Sequence, residues 1–227
     1  MNQVELIDLR TGGATQELRG HTNSVLTCCW SPVEEFLLAT GGADNKIFFW
    51  DIRSGNSCLK RLDQYNANTD AGTAHSGFVN GLQFTNDGLL LVSLGTDNRL
   101  RLWETLNGHN QMINYGKVKN DAKKNIQFSI SNNSKPPLIY VPSDSNIHIL
   151  ELFSGDRIGM LFGHFNSINC CLYRDVYQEL YSGGNDRNIL TWTADNFQSE
   201  DCDDEKFRTS SRNPIIRTND NWSSDED

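Results

Sequence analysis

Gly20-His21, Ala74-His75 and Gly163-His164 are each followed by a hydroxyl residue, an aspartate and a tryptophan: Thr40, Asp44 and Trp50; Ser93, Asp97 and Trp103; Ser182, Asp186 and Trp192. His to Asp is 23, 22 and 22 residues, Asp to Trp is 6 each time, and the hydroxyl lies 4 before the Asp each time. Imidazole, carboxylate and hydroxyl are the raw material of nucleophilic and metal chemistry. Equivalent places in successive repeats lie apart, however, and cannot converge on one ion or one scissile bond. The alternative is structural. A His, a hydroxyl, a carboxylate and an indole N–H form one connected hydrogen-bond network, which stabilises a low-dielectric interior when every member is satisfied.

Other candidates for chemistry are weaker. Cys28-Cys29 and Cys170-Cys171 fall on alternating strands, where one sulfur faces the core and the other the opposite side, so they read as small hydrophobes. None of the six cysteines has the Cys-x-x-Cys spacing of a zinc site, and without a secretory signal they are expected to be reduced. His109 and His148 have no partner pattern, and there is no Ser-centred elbow, glycine-rich phosphate loop or His-Glu-x-x-His run. The expectation is a non-enzyme with no metal and no cofactor.

The elements that position the networks follow from period-two alternation. Val25, Cys28 and Trp30 match Val79, Leu82 and Phe84, and Ile168, Cys171 and Tyr173, as first strands. Thr40 and Trp50 are equidistant from Asn45, as are Ser93 and Trp103 from Asn98, and Ser182 and Trp192 from Arg187, which predicts tight hairpins placing each pair face to face. A Gly-His opening and a Trp-Asp exit about every 40–45 residues is the mark of a WD-repeat β-propeller blade. A degenerate copy, Asp144-Ser145-Asn146-Ile147-His148-Ile149-Leu150, puts Leu150 at the Trp position, and Val4–Arg10 reads like the strand that ends in Trp50-Asp51-Ile52-Arg53. The fold expected is all-β: over residues 1–193, about four blades plus a partial one, with ends near Leu9/Leu18, Arg53/Leu62, Trp103, Leu150 and Trp192. Spacing places an insertion within Leu62–Ala74. Because residues 1–18 supply only the last two strands of a blade, the chain reads as an N-terminally truncated form of a larger wheel.

Charge separates a tail from this body. The net charge is −9, and residues 195–227 hold ten Asp/Glu against four Lys/Arg. Residues 194–227 are therefore expected to be a disordered acidic tail, in which Ser223 and Ser224 precede acidic residues in the pattern of an acid-directed kinase. No concentrated basic face offers counterion-release energy, which disfavours direct nucleic-acid binding, and no apolar run approaches a membrane span.

Phe48-Phe49-Trp50-Asp51-Ile52-Arg53 does more than build the fold, since Arg53 leaves the blade as a charged fork suited either to a partner carboxylate or to stapling Asp51 locally. The stretch Leu38–Arg53 that contains it, together with Thr73–Leu82, Gly95–Trp103, Asn114-Tyr115-Gly116-Lys117-Val118, Gln178–Gly183 and Trp222-Ser223-Ser224-Asp225-Glu226, resembles the Cockayne syndrome group A family of WD-repeat proteins. That resemblance implies a seven-bladed, nuclear substrate receptor of a cullin-RING ubiquitin ligase in transcription-coupled nucleotide excision repair. Its partners would be the damaged-DNA-binding protein adaptor, the Cockayne syndrome group B translocase and stalled RNA polymerase II. The adaptor-contact signature falls on Trp50, Asp51 and Arg53, and ubiquitin transfer would belong to partner subunits. A generic WD scaffold for peptides or histone tails, and a truncated product without independent function, are the alternatives.

Overall fold

The structure, a computed structural model, describes residues 2–54, 58–67, 72–131 and 134–193. Among these, all regular structure is β. A two-stranded sheet, β1 (Gln3–Ile7) and β2 (Ala14–Arg19), precedes a first full blade of β3 (Val25–Trp30), β4 (Leu37–Gly42), β5 (Ile47–Asp51) and β6 (Cys58–Arg61). The second blade is β7 (Val79–Phe84), β8 (Leu90–Gly95) and β9 (Leu100–Glu104). The third is β10 (Ser129–Ser131), β11 (Leu138–Ser143), β12 (Asn146–Glu151) and β13 (Arg157–Phe162), and the fourth is β14 (Ile168–Arg174), β15 (Glu179–Gly184) and β16 (Ile189–Thr193). Every sheet is an antiparallel meander in chain order, the pattern expected of four propeller blades and a partial one.

Each hairpin between the second and third strands of a repeat is built on one turn. Asn45 N–H donates to the Gly42 carbonyl (3.3 Å), Gly42 N–H to the Lys46 carbonyl (3.3 Å), and Asn45 takes φ 65°. This is a three-residue loop, a type I turn closed by a left-handed residue. Asn98 (φ 60°) and Arg187 (φ 65°) hold the same place. The odd loop length puts the pivot on the Asp, one residue earlier than the spacing suggested. Thr40 therefore lies opposite Phe48, Ser93 opposite Arg101 and Ser182 opposite Leu190. The tryptophans stand opposite Leu38, Leu91 and Leu180 and meet the hydroxyls diagonally.

The first strand of these three blades is bulged, between Val25 and Thr27, Val79 and Gly81, and Ile168 and Cys170, which explains why its inward residues are spaced three and then two apart. Val79, Leu82 and Phe84 are buried. Cys28 is exposed and Trp30 is 46% exposed, because the neighbour on their side is the two-stranded β1–β2 sheet, which covers Leu38, Phe48 and Trp50 further out. The blades are welded by apolar packing. Leu37, Phe49, Val79, Phe84 and Trp103 join the first and second, and Val92, Phe128, Ile139, Ile168 and Leu180 run from the second through the fourth.

Candidate functional site

The three networks close as the spacing implied. In the first full blade the Trp50 indole N–H donates to Thr40 Oγ1 (2.7 Å), His21 Nε2 lies 2.8 Å from the same oxygen, and His21 Nδ1 lies 2.9 Å from Asp44 Oδ2. An indole only donates, so the hydroxyl accepts from it and gives its own hydrogen to Nε2, leaving Nδ1–H for the carboxylate. The second blade repeats this with Trp103, Ser93, His75 and Asp97 (2.8, 2.7 and 2.9 Å), and the fourth with Trp192, Ser182, His164 and Asp186 (2.8 Å each). Backbone N–H groups of Thr22 and Lys46 add to the Asp44 carboxylate, as Ser76 and Arg99 do for Asp97. A Cβ on Gly20 or Gly163 would lie 2.8 Å from the Cη2 of Trp50 or Trp192, whereas the second blade carries Ala74 at the equivalent place.

Burial alone would raise the pKa of Asp44, Asp97 and Asp186, but the histidine rings, helped by backbone N–H groups at Asp44 and Asp186 and by the Arg101 guanidinium at Asp97, outweigh it and hold all three below the usual carboxylate range. Burial pulls His75 down despite Asp97, so its neutral form is favoured. A buried, neutral imidazole between two fixed partners is a strut. Each network is also enclosed within its own blade, and among the described residues no group of three His, Cys, Asp or Glu could hold a metal. Burial raises the thiol pKa of Cys29 and of Cys171, which keeps both protonated and suits their place as packing groups.

Sequence reasoning missed one member. Arg101, two residues before Trp103, occupies the place held by the apolar Phe48 and Leu190 in the other blades. Its Nη1 donates to Asp97 Oδ2 (2.8 Å) and lies 2.6 Å from His75 Nδ1, while Nη2 donates to Gln64 Oε1 (2.8 Å). The second network is thereby tied to the inserted segment after Leu62. A charged residue at an otherwise apolar strand position was the available signal. The degenerate third blade uses none of this. Leu150 is 1% exposed and packs with Ile139, Val141 and Ile147, so apolar burial replaces the tryptophan and its partners.

Of the three signature residues, Trp50 is buried and its N–H is committed to Thr40, so only Asp51 and Arg53 reach solvent. Arg53 Nε donates to Asp51 Oδ1 (2.9 Å), Nη2 donates to Oδ2 (2.6 Å), and the Arg53 backbone N–H donates to Oδ1 (3.0 Å). The guanidinium also lies over the Phe36 ring, 4.7 Å from its centroid. These bonds hold Asp51 at a pKa of about 2. The local staple is thus formed, and it aims a rigid cation outward: the Arg53 side chain is 63% exposed, and Nη1 donates to no described residue. The half blade repeats the turn without the tryptophan, as Arg10 N–H donates to Asp8 Oδ1 (2.9 Å), and Gln16 Nε2 reaches the Ser54 carbonyl to link the two blades. Ser223, Ser224 and the rest of 194–227 lie outside the described residues.

These sheets and networks define a class, and comparison with known proteins names it. The model of the WD domain, G-beta repeat, matches residues 12–51, 68–104 and 155–193, just over half of the chain, so the protein belongs to the WD-repeat family. Among its relatives is the WD repeat-containing protein ATCSA-1 of Arabidopsis thaliana, 29% identical over 291 residues, covering 97% of this chain and 62% of the relative. WD repeat-containing protein AAC3 of Dictyostelium discoideum is 26% identical, over 78% of this chain and 35% of its own. A chain of the crystal structure of the mitotic checkpoint complex superposes with a TM-score of 0.68 at 20% identity, over 85% of this chain and 55% of its own, which shows the fold alone. The chain spans less than two thirds of the length of each.

Proposed function

We propose that this chain is a Cockayne syndrome group A-type protein: a non-catalytic substrate-recognition subunit of a cullin-RING ubiquitin ligase acting in transcription-coupled nucleotide excision repair. The observation that carries the reading is the similarity to ATCSA-1 over 97% of the chain, whose label CSA is the abbreviation of that family. The geometry agrees with it. The three histidines of the repeated networks are buried in separate blades, and at the Trp-Asp turn a preorganised carboxylate–guanidinium pair, Asp51 with Arg53, has an Nη1 edge that suits an acceptor on the damaged-DNA-binding protein adaptor. The Cockayne syndrome group B translocase and stalled RNA polymerase II would be met in the nucleus through other surfaces.

Affinity purification of the tagged full-length chain from nuclear extract tests this. Cullin, RING and adaptor subunits should co-purify, and their complete absence overturns the reading. A preparation without them but rich in another assembly favours a WD scaffold for peptides or histone tails. Lack of a cooperative thermal transition in the purified chain favours a product without independent function.

A further inference from the structure

At the Trp-Asp end of the first and second full blades lies an open groove of about 760 Å³. Its walls are apolar and in part strongly exposed: Leu59 is 54%, Leu89 65%, Leu106 78% and Phe153 57% accessible, with Leu37, Phe49 and Leu102 beneath them. Its charged lining is mostly acidic. Glu34, Asp87 and Glu104 stand in it, and none is in an ion pair with a described residue. The one cation, Lys60, donates its ammonium to the Leu106 carbonyl. Thr105 Oγ1, buried in the same lining, has no hydrogen-bond partner among the described residues. A groove that is greasy in the middle and negative at its margin fits an extended segment carrying aliphatic side chains flanked by Lys or Arg.

The chain holds one such segment beyond the last blade. The tail is acidic overall, but its charge is blocked: all four of its Lys/Arg, Lys206, Arg208, Arg212 and Arg217, fall within residues 206–217, which contain no Asp or Glu. The same stretch carries Phe207, Pro214, Ile215 and Ile216. β16 is the third strand of its sheet, as β5 and β9 are of theirs, so Thr193 leaves the fourth blade at the end where the groove opens. The roughly 22 residues from Thr193 to Ile215 reach up to ~70 Å when extended. A compact body of this length is only about 40 Å across. We infer that residues 212–217, Arg212-Asn213-Pro214-Ile215-Ile216-Arg217, dock in this groove in cis, with Ile215 and Ile216 against Leu59, Leu89 and Leu106 and the arginines against Glu34, Asp87 and Glu104. The acidic blocks on either side, 200–205 and 220–227, are repelled by that rim, which sets the register of the seated stretch. The inference does not depend on the ligase reading.

Photo-crosslinking of the full-length chain, with benzoylphenylalanine replacing Ile216, reads the contact directly. Irradiation should join position 216 to peptides holding Leu59, Leu89, Leu106 or Phe153 within one chain, and Glu34→Lys with Glu104→Lys should lower that yield at least tenfold. Crosslinks mapping elsewhere, a dimer-sized product, or a yield indifferent to the charge reversals overturns the proposal. Hydrogen exchange supplies a readout without the probe. In the Ile215→Asp/Ile216→Asp chain, amides of residues 87–90 and 104–107 should exchange several-fold faster than in the unaltered chain, and equal rates count against docking.

Discussion

At the scale of single residues, the decisive groups are hydroxyls that serve two masters. Ser93 Oγ accepts the Trp103 indole and meets His75 Nε2, so Ser93→Ala strands two buried polar groups at once. We expect a loss of about 2–4 kcal/mol, since each unsatisfied group costs about 1–3 kcal/mol. Trp103→Phe, which leaves the serine–histidine bond intact, should lose less polar stabilisation, and urea titration of both variants compares them. Acid should act on the same networks. Asp44, Asp97 and Asp186 titrate lower when folded than unfolded, so the unfolded chain binds more protons and stability falls as pH drops below about 4. His75 also titrates below its ordinary 6.5 when folded, so the decline begins as pH falls beneath about 6.5. Urea midpoints should therefore decrease as pH is lowered from about 6.5 to 3.5, and a rise over that range would contradict the assignment. These networks were legible in the sequence because nearly the same spacing recurs three times, with the hydroxyl-to-Asp and Asp-to-Trp intervals invariant. Arg101 was not, because only its misfit with Phe48 and Leu190 betrays it, and its partner Gln64 comes from an insertion without a repeat counterpart.

At the scale of elements, turns and bulges determine which side chains meet. The alternation was readable, but the register was read one residue late, because the hydroxyl and the tryptophan that share a hydrogen bond were taken to stand directly opposite, whereas they meet diagonally across a three-residue loop centred on the Asp. Arg187 is the least suited of the three left-handed residues, and Arg187→Asn should stabilise by about 0.5–1 kcal/mol. Glycine at the end of the second strand has the opposite sensitivity. A Cβ on Gly95 would lie 2.3 Å from His75 Nδ1 and 2.6 Å from Asp97 Oδ1, so Gly95→Ala should cost about 3 kcal/mol or more by forcing the network apart. Gly12, at φ +68° with nothing within 4 Å of its Cβ position, should cost only about 1 kcal/mol as alanine. Thermal melts of the three variants rank these effects, and equal losses for Gly12 and Gly95 would contradict the packing argument.

At the scale of the whole molecule, the repeated wedge was legible as far as the tryptophan spacing carried it, and the third blade was recognised only as a weak copy. Its four strands form regardless, since Ile139, Val141, Ile147 and Leu150 supply a continuous core with the second and fourth blades. What no spacing announced is the surface between blades: the acidic-rimmed groove at the Trp-Asp end is assembled from the first, second and third blades, whose contributing residues are far apart in the chain. The same end presents Asp51 and Arg53. The central proposal is that the molecule recruits an adaptor through that end. The most direct test titrates the purified full-length chain with the damaged-DNA-binding protein adaptor. The account predicts saturable binding that weakens at least tenfold in Arg53→Ala and is unchanged in Lys46→Ala, which alters a turn at the opposite end of the same blade. No binding, or equal affinity for the unaltered and Arg53→Ala chains, would contradict it.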